Sequence, residues 1–291
     1  LFSALRSEKV LKIYAGESIA LTTLHKKERV IAPLFRHHLA AQVVVSAVDT
    51  DSLGTFSGEI ERNGPPRQVA IAKARLGMSA LGLSRGIATE GSFGPHPEIP
   101  FLSIHHELIV FIDTERRIEV VEQQLFPQSI YDSIEVASIA DAEEFLVKNR
   151  FGSYGMIVQA LTSSVVSPVK GITTGSQLEK AIEHVQICSR DDRVRVLTDM
   201  RAHFNPLRMW RIRSLTRALV RRLTQCCPDC AAPGWGVTGS KSGLPCQHCG
   251  AATAAIHYRI SSCSACGFRQ QLPRLDGKKV ASIAECSFCN P

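Results

Sequence analysis

Long apolar runs are missing from this sequence. No stretch of about 18 apolar residues occurs, so no membrane-crossing helix and no membrane association are expected. Cysteine is missing from almost all of the first 225 residues, where only Cys188 stands. That scarcity, with no targeting segment in view, argues against an oxidised, disulfide-stapled body and points to a reducing, cytoplasmic setting. Acidic residues are missing from the C-terminal end. From Arg201 onward there are 13 Lys+Arg and 3 Asp+Glu, leaving 21 and 24 for residues 1–200 out of totals of 34 and 27. The last ninety or so residues thus carry +10 of a chain total of +7. At 44% hydrophobic and 21% charged the chain is not disordered and can bury a sizeable core.

What is present is concentrated at the end. Nine of the ten cysteines lie between Cys226 and Cys289, eight of them as four Cys-x-x-Cys pairs: Cys227/Cys230, Cys246/Cys249, Cys263/Cys266 and Cys286/Cys289. Such a pair puts two thiolates on one tight turn, and two pairs complete a tetrahedral four-cysteine site whose usual occupant is zinc. Four pairs imply two zinc ions. With every ligand position filled by protein, both are structural rather than catalytic. An iron–sulfur cluster is the minor rival. Sequential pairing, first with second and third with fourth, is the simplest arrangement; nested or crossed pairing uses the same ligands. Eight thiolates and two Zn²⁺ would change the charge by −4, to about +3 for the chain, so the high isoelectric point says less about nucleic acid than it first suggests.

The segment 205–223 reads as one helix. Asn205 suits the N-cap and Pro206 the first turn. Ile212, Leu215, Leu219 and Leu223 form its apolar stripe. Arg213, Arg217 and Arg221 recur on the opposite face, with Arg208 flanking. They mark either a solvated surface or a phosphate-binding one for nucleic acid, although no aromatics interleave with them. Just upstream, Asp199, Arg201 and His203 crowd the helix entry, where Arg201 is either a phosphate clamp or the partner of Asp199.

The body alternates strands and helices, predicting an α/β (α+β, mixed-sheet) fold. Strands are expected at 18–23, 42–48, 86–90, 107–113, 118–123 and near 155–161, with helices at 26–38, 67–82, 140–149 and 177–187. The helix at 67–82 has a small face, Ala70, Ala74 and Gly77, for close packing on a sheet. Three places carry candidate chemistry. Thr23 to Lys27 joins a strand end to a helix start, a seat for phosphate. Lys73 projects from the small-faced helix, as a phosphate ligand or a snorkelling surface lysine. Thr89-Glu90-Gly91-Ser92 ends a short strand with a carboxylate and enters a glycine-rich loop, suited to holding Mg²⁺. The adjacent pairs His37-His38 and His105-His106 are read as incidental.

In this order the three places resemble the inosine triphosphate pyrophosphatase superfamily. Thr23-x-His25-x-Lys27 lies where such proteins carry a Thr-x-Asn-x-x-Lys motif. Ser57-Gly58 and Ala70-x-x-Lys73-Ala74 follow, and Gly86-Ile87-Ala88-Thr89-Glu90-Gly91 is similar to the strand that ends there in Glu-Gly or Glu-Asp. The resemblance spans roughly residues 16–190. It implies a two-lobed body and Mg²⁺-assisted attack of water on a nucleoside triphosphate, often in a homodimer. Glu90 would be the metal carboxylate, Lys73 a catalytic cation, and Thr23, Lys27 and Ser92 phosphate ligands; Arg201, outside that span, would add a phosphate clamp from the helix entry. The whole layout also resembles a bacterial family designated domain of unknown function 6671, on residues 27–34, 49–58, 89–97, 199–206 and the ending Cys286-Ser287-Phe288-Cys289-Asn290-Pro291.

The expected organisation is a nucleotide- or phosphate-binding α/β domain over residues 1–200, an arginine-rich connecting helix over 201–225 and a two-zinc ribbon over 226–291. The leading functional expectation is a Mg²⁺-dependent nucleoside triphosphate pyrophosphatase-like hydrolase. The alternative is a non-enzymatic zinc-ribbon module that binds a protein or nucleic acid, the latter through Arg208, Arg213, Arg217 and Arg221.

Overall fold

The computed structural model describes residues 13–49, 64–95, 99, 103–127, 131–162, 165–190 and 192–291. Ser57, Gly58, His96 and Pro97 lie outside the described residues. The architecture is mixed α/β, with a five-stranded sheet, a four-stranded sheet and a three-stranded cysteine-rich ribbon.

The first sheet has the order β2-β1-β3-β4-β5, made of β1 (Ser18–Thr22), β2 (Gln42–Ser46), β3 (Arg85–Pro95), β4 (Ser103–Asp113) and β5 (Ile118–Phe126). β1 pairs in parallel with β2 and β3, while β3, β4 and β5 are antiparallel. Helix α1 (Glu28–Leu39) connects β1 to β2, and α2 (Pro66–Leu81) lies between β2 and β3. Because β2 and β3 flank β1, the chain turns one way after β1 and the other way after β2, which opens a crevice at the carboxyl ends of β1 and β3. Both faces of β1 are buried, and its residues sort by alternation. Ile19 and Leu21 join the core under α1, and Ala20 joins Ala70, Ala74 and Met78 of α2.

The small face of α2 is used as expected. A Cβ on Gly77 would lie 2.0 Å from Thr22 Oγ1. Thr22 Oγ1 in turn donates to the Lys73 carbonyl at 2.8 Å, so α2 rests directly on the end of β1.

One expectation fails in an informative way. The glycine-rich run after Glu90 is not a loop at its start. β3 continues to Pro95 and pairs with β4 from Arg85↔Asp113 to Pro95↔Ser103. Backbone pairing with a long neighbour outweighs the poor strand propensity of Gly91 and Gly94.

The second sheet, β6-β9-β7-β8, comprises β6 (Ser133–Val136), β7 (Met156–Ala160), β8 (Val169–Ile172) and β9 (Val194–Thr198). It packs against α3 (Glu143–Lys148) and α4 (Gly175–Ser189), around a core that includes Val158, Leu178, Ile182 and Val196. From the end of β9 the chain passes through Asp199 and a 3₁₀ turn, Ala202–Phe204, into α5 (Pro206–Leu223). Asn205 caps α5 as its sequence implies, its side chain accepting from Arg208 N at 2.9 Å. Ile212, Leu215, Leu219 and Leu223 enter the same core as α1 and the first sheet. Among the described residues no helix is long and apolar enough to cross a membrane.

Candidate functional site

The three predicted places converge at the crevice. Thr22 and Thr23 end β1, Lys27 stands just before α1, and Thr89 and Glu90 lie on β3 where β1 has stopped. β3 divides the groups between two faces. On the α2 side Lys73 Nζ pairs with Glu90 Oε2 at 2.8 Å. Ser92 follows two residues on, on the same face. On the α1 side Lys27 Nζ donates to Thr89 Oγ1 at 2.6 Å, with the lysine buried. Burial lowers the Lys27 ammonium to about 8, and the nearby Arg208 charge adds to the effect. Thr23 Oγ1 accepts the His25 amide at 3.1 Å and fixes the turn into α1.

Beside Lys27 lies a buried ionic network absent from the sequence expectations. Glu107 on β4 is opposite Gly91 on β3. Its side chain crosses that glycine to reach Arg208 of α5, with Nε to Oε2 at 2.8 Å and Nη2 to Oε1 at 3.3 Å. A Cβ on residue 91 would sit 2.5 Å from Arg208 Nη2 and 2.6 Å from Glu107 Oε2. Arg208 Nη1 also donates to the Met200 carbonyl at 2.6 Å. Burial alone would raise the Glu107 carboxyl, but Arg208 and the His105 hydrogen bond overcome it and hold it at about 2.

His105 belongs to this network rather than being incidental. Arg211 Nη1 lies 2.7 Å from its Nδ1, and its Nε2 lies 2.7 Å from Glu107 Oε2. Arginine can only donate, so Nδ1 accepts and Nε2 carries the proton given to Glu107. Phe93 stacks on the ring at 4.2 Å between centroids. The pattern His105-x-Glu107 on a strand puts both residues on one face, a signal available in the sequence.

Arg201 lies against Asp199, with Nη2 to Oδ2 at 2.6 Å and Nε to Oδ1 at 3.0 Å, so its guanidinium fork is occupied as the helix-entry pairing envisaged. Arg208 is corrected outright as a surface contact: it is buried against Glu107, whereas Arg213, Arg217 and Arg221 are exposed. His25 stacks on His203 at 5.2 Å. Burial, and to a lesser degree the nearby charges of Lys27, Arg208, His203 and Arg201, push His25 down to about 2, so its ring stays neutral at the mouth of the crevice.

The eight paired cysteines form two sets, Cys227, Cys230, Cys263 and Cys266, and Cys246, Cys249, Cys286 and Cys289. The first knuckle joins the third and the second joins the fourth, so the simplest, sequential arrangement is not adopted. The ribbon explains why. β10 (Gly236–Ser242), β11 (Ile256–Ser262) and β12 (Arg269–Leu272) are antiparallel. Pairing Gly236 with Ser262 brings the first and third knuckles to one end. β12 runs back along β11 and carries the chain toward the other end, where the fourth knuckle meets the second. In each knuckle a backbone N–H four residues on closes onto the first cysteine's carbonyl, from Ala231, Gly250, Gly267 and Asn290. Ala231, Gly250 and Gly267 have positive φ, so the two glycines serve the exits as expected while Ala231 adopts this conformation without glycine's freedom.

The thiols fit zinc. Within each set all Sγ atoms lie within 4.8 Å of one another, and the nearest pairs are 3.7–3.8 Å apart. A tetrahedron with Zn–S bonds of about 2.3 Å has edges of about 3.8 Å. The backbone N–H groups of Cys249 and His248 hold the Cys246 thiol down at about 6, on the thiolate side needed for a metal. The two clusters fit a double zinc ribbon. The ribbon docks on the first sheet, where Ala232 and Ala265 pack onto the α5 core and Ser264 Oγ accepts from Glu119 N at 3.3 Å.

No curated protein and no solved structure matches the chain. The family model described as Domain of unknown function (DUF6671) matches residues 73–291, about three quarters of the chain, and takes in Lys73, Glu90, Glu107, α5 and all eight clustered cysteines; the chain belongs to that family.

Proposed function

We propose that the body binds a nucleoside triphosphate through its phosphates at the crevice between β1 and β3, and that with Mg²⁺ it releases pyrophosphate from this ligand. The observation that carries the reading is the placement of Lys27, from the turn before α1, and Lys73, from α2, on opposite faces of β3 at the carboxyl ends of two parallel strands beside Glu90. This is where open α/β sheets seat their ligands. Lys27, His25, Arg201 and Arg208 lie near one another at this end of the strands, a cluster of basic side chains that an anion would complement.

Lys73 is held by Glu90 at present. An arriving phosphate would offer Lys73 a second partner and leave the Glu90 carboxylate free to hold Mg²⁺. One carboxylate suffices when phosphates and waters complete the ion's shell. The ion would supply charge neutralisation and an oriented water. Glu107 is not a second metal ligand, because Arg208 and His105 occupy its oxygens. Thr23 and Ser92 line the same end of the strands, and Arg201 keeps Asp199 rather than joining the phosphates.

A panel of canonical and non-canonical triphosphates with Mg²⁺ tests this. Pyrophosphate release that falls at least about a hundredfold in Glu90→Ala is expected. No release from any triphosphate refutes the hydrolysis, and triphosphate affinity unchanged in Lys27→Met refutes the binding site. The non-enzymatic alternative draws on a different surface, the outer face of α5.

A further inference from the structure

The six arginines of α5 sort into two groups. Arg208, Arg211 and Arg222 turn inward: the first two meet Glu107 and His105, and Arg222 donates to the Val121 and Gly234 carbonyls and to Glu122. Arg213, Arg217 and Arg221 face solvent without an acidic partner among the described residues, and α5 itself has no Asp or Glu. Elsewhere the exposed basic side chains are often matched, as in Arg67–Glu119, Lys148–Asp132 and Arg195–Glu135. No aromatic stands between these arginines, but at the head of the same stripe, three residues before Arg213, Trp210 is 57% exposed.

Helix α1 extends the basic surface. It lies beside α5 and runs the same way: His25 meets His203 at the leading ends, and His38 feels Arg221 and Arg217 at the trailing ends. Arg29, Arg36 and His37 of α1 are exposed, and its only acid is Glu28 in the first turn. We infer that the outward stripe of α5, with the exposed basic residues of α1 beside it, is a docking surface for single-stranded nucleic acid, its arginines on phosphates and Trp210 stacked on a base.

Three features select this occupant. Arginines four residues apart on a helix rise by about 6 Å, comparable to the spacing of phosphates along one strand. An exposed indole adjoining such a row is a platform for an unstacked base, which a duplex does not offer. A membrane is disfavoured because Ile212, Leu215, Leu219 and Leu223 are already buried in the core, leaving the outer stripe almost no apolar surface to insert. The inference does not rest on the nucleotide reading, since none of these residues lines the crevice.

The test is fluorescence anisotropy of the full zinc-loaded chain with labelled single-stranded DNA and RNA of about 16 nucleotides. Neutralising three phosphates on a single strand gives a log–log salt slope of about −2, so affinity should fall about 20-fold between about 50 and about 200 mM salt. Arg213→Gln, Arg217→Gln and Arg221→Gln together should make the slope shallower by about 2, the share of the α5 arginines, and leave only what α1 contributes. Trp210→Ala should weaken binding roughly tenfold and abolish quenching of indole fluorescence. All four side chains are exposed, so zinc content and thermal melting should match the parent. Excess free triphosphate should leave binding unchanged, which separates this surface from the crevice. No binding, a salt slope unchanged by the triple substitution, equal affinity for duplex with Trp210→Ala silent, or binding confined to vesicles containing phosphatidylserine would each overturn the inference.

Discussion

Replacing Glu107 by glutamine is the sharpest perturbation this structure offers. The side chain keeps its size and loses its charge. Arg208, buried by the same contacts, then loses its hydrogen-bonded carboxylate beside Lys27 and keeps only the weaker influence of Glu90 and Asp199. Removing one partner of a buried ion pair typically costs about 3–5 kcal/mol. The displaced carboxyl pKa points to the same order of magnitude. Arg208 and His105 hold the Glu107 carboxyl at about 2 against an ordinary value of about 4.5, a difference on the order of 3 kcal/mol. Because the folded pKa is the lower one, this stability is complete above about 4.5 and is lost as pH falls toward about 2. The glutamine oxygen can still accept from His105, so the lower end of the range applies. A loss of about 3 kcal/mol should lower the melting temperature by roughly 6–12 °C. Urea denaturation at fixed zinc and neutral pH measures it. Glu107→Leu combined with Arg208→Met should recover much of the loss, since a well-packed apolar pair can replace a buried ionic one. A cost below about 1 kcal/mol for Glu107→Gln, or simple additivity in the double-mutant cycle, would refute the account of this network.

Zinc stoichiometry separates the pairing schemes: Cys249→Ser with Cys289→Ser should leave about one zinc per chain, and Cys230→Ser with Cys249→Ser should leave none, with the reverse expected if knuckles paired in sequence. Phosphate-ligand affinity should be flat below about pH 8 and fall about tenfold per unit above it, because burial and then Arg208 set the free Lys27 ammonium at about 8 and only its charged form attracts an anion; calorimetry on Lys27→Met should show no such fall. Gly77→Ala should cost about 1–3 kcal/mol in urea titrations despite alanine's better helix propensity, because its methyl would meet Thr22 Oγ1 at 2.0 Å. Ala231→Gly should stabilise the first zinc knuckle by about 1 kcal/mol, raising resistance to chelators, because residue 231 has φ 60°.

The boundary between what the sequence discloses and what it hides follows contact range. Helix α5 was legible because its cap, its proline and its apolar stripe are all local, and the exposure of Arg213, Arg217 and Arg221 follows from the same period. The burial of Arg208 and Arg211 was not legible, because their partners Glu107 and His105 sit on a strand about a hundred residues earlier. Thr23, Lys27, Lys73 and Glu90 could be proposed individually from strand ends and helix starts. Their division between two faces of β3 depends on the register with β4, which local pattern does not encode. β10 escaped notice because all but its first residue are exposed, so it carries little apolar alternation. The cysteine spacing discloses the ligands but leaves the partners open, since antiparallel pairing of β10 with β11 decides which knuckles meet.

Those long-range contacts converge on α5. Its apolar stripe closes the core of the first sheet, its first turn supplies the arginine that neutralises Glu107 beneath the crevice, and its last turn holds Gly234 at the entrance to the ribbon through Arg222. A change in the zinc ribbon therefore reaches the crevice through one continuous helix rather than through a flexible linker. Loss of the first zinc set would release Ala232 and Ala265 from the α5 core and loosen the Arg222 contacts. Loss of the second set, held by Cys246, Cys249, Cys286 and Cys289 around Ala281, touches no part of that core. Cys230→Ser should consequently lower the stability of the body as well as that of the ribbon, whereas Cys249→Ser should leave amide protection in β3 and β4 unchanged when followed by hydrogen exchange. Equal effects of the two substitutions on β3 and β4 would contradict α5 as the mechanical link between the zinc sites and the crevice.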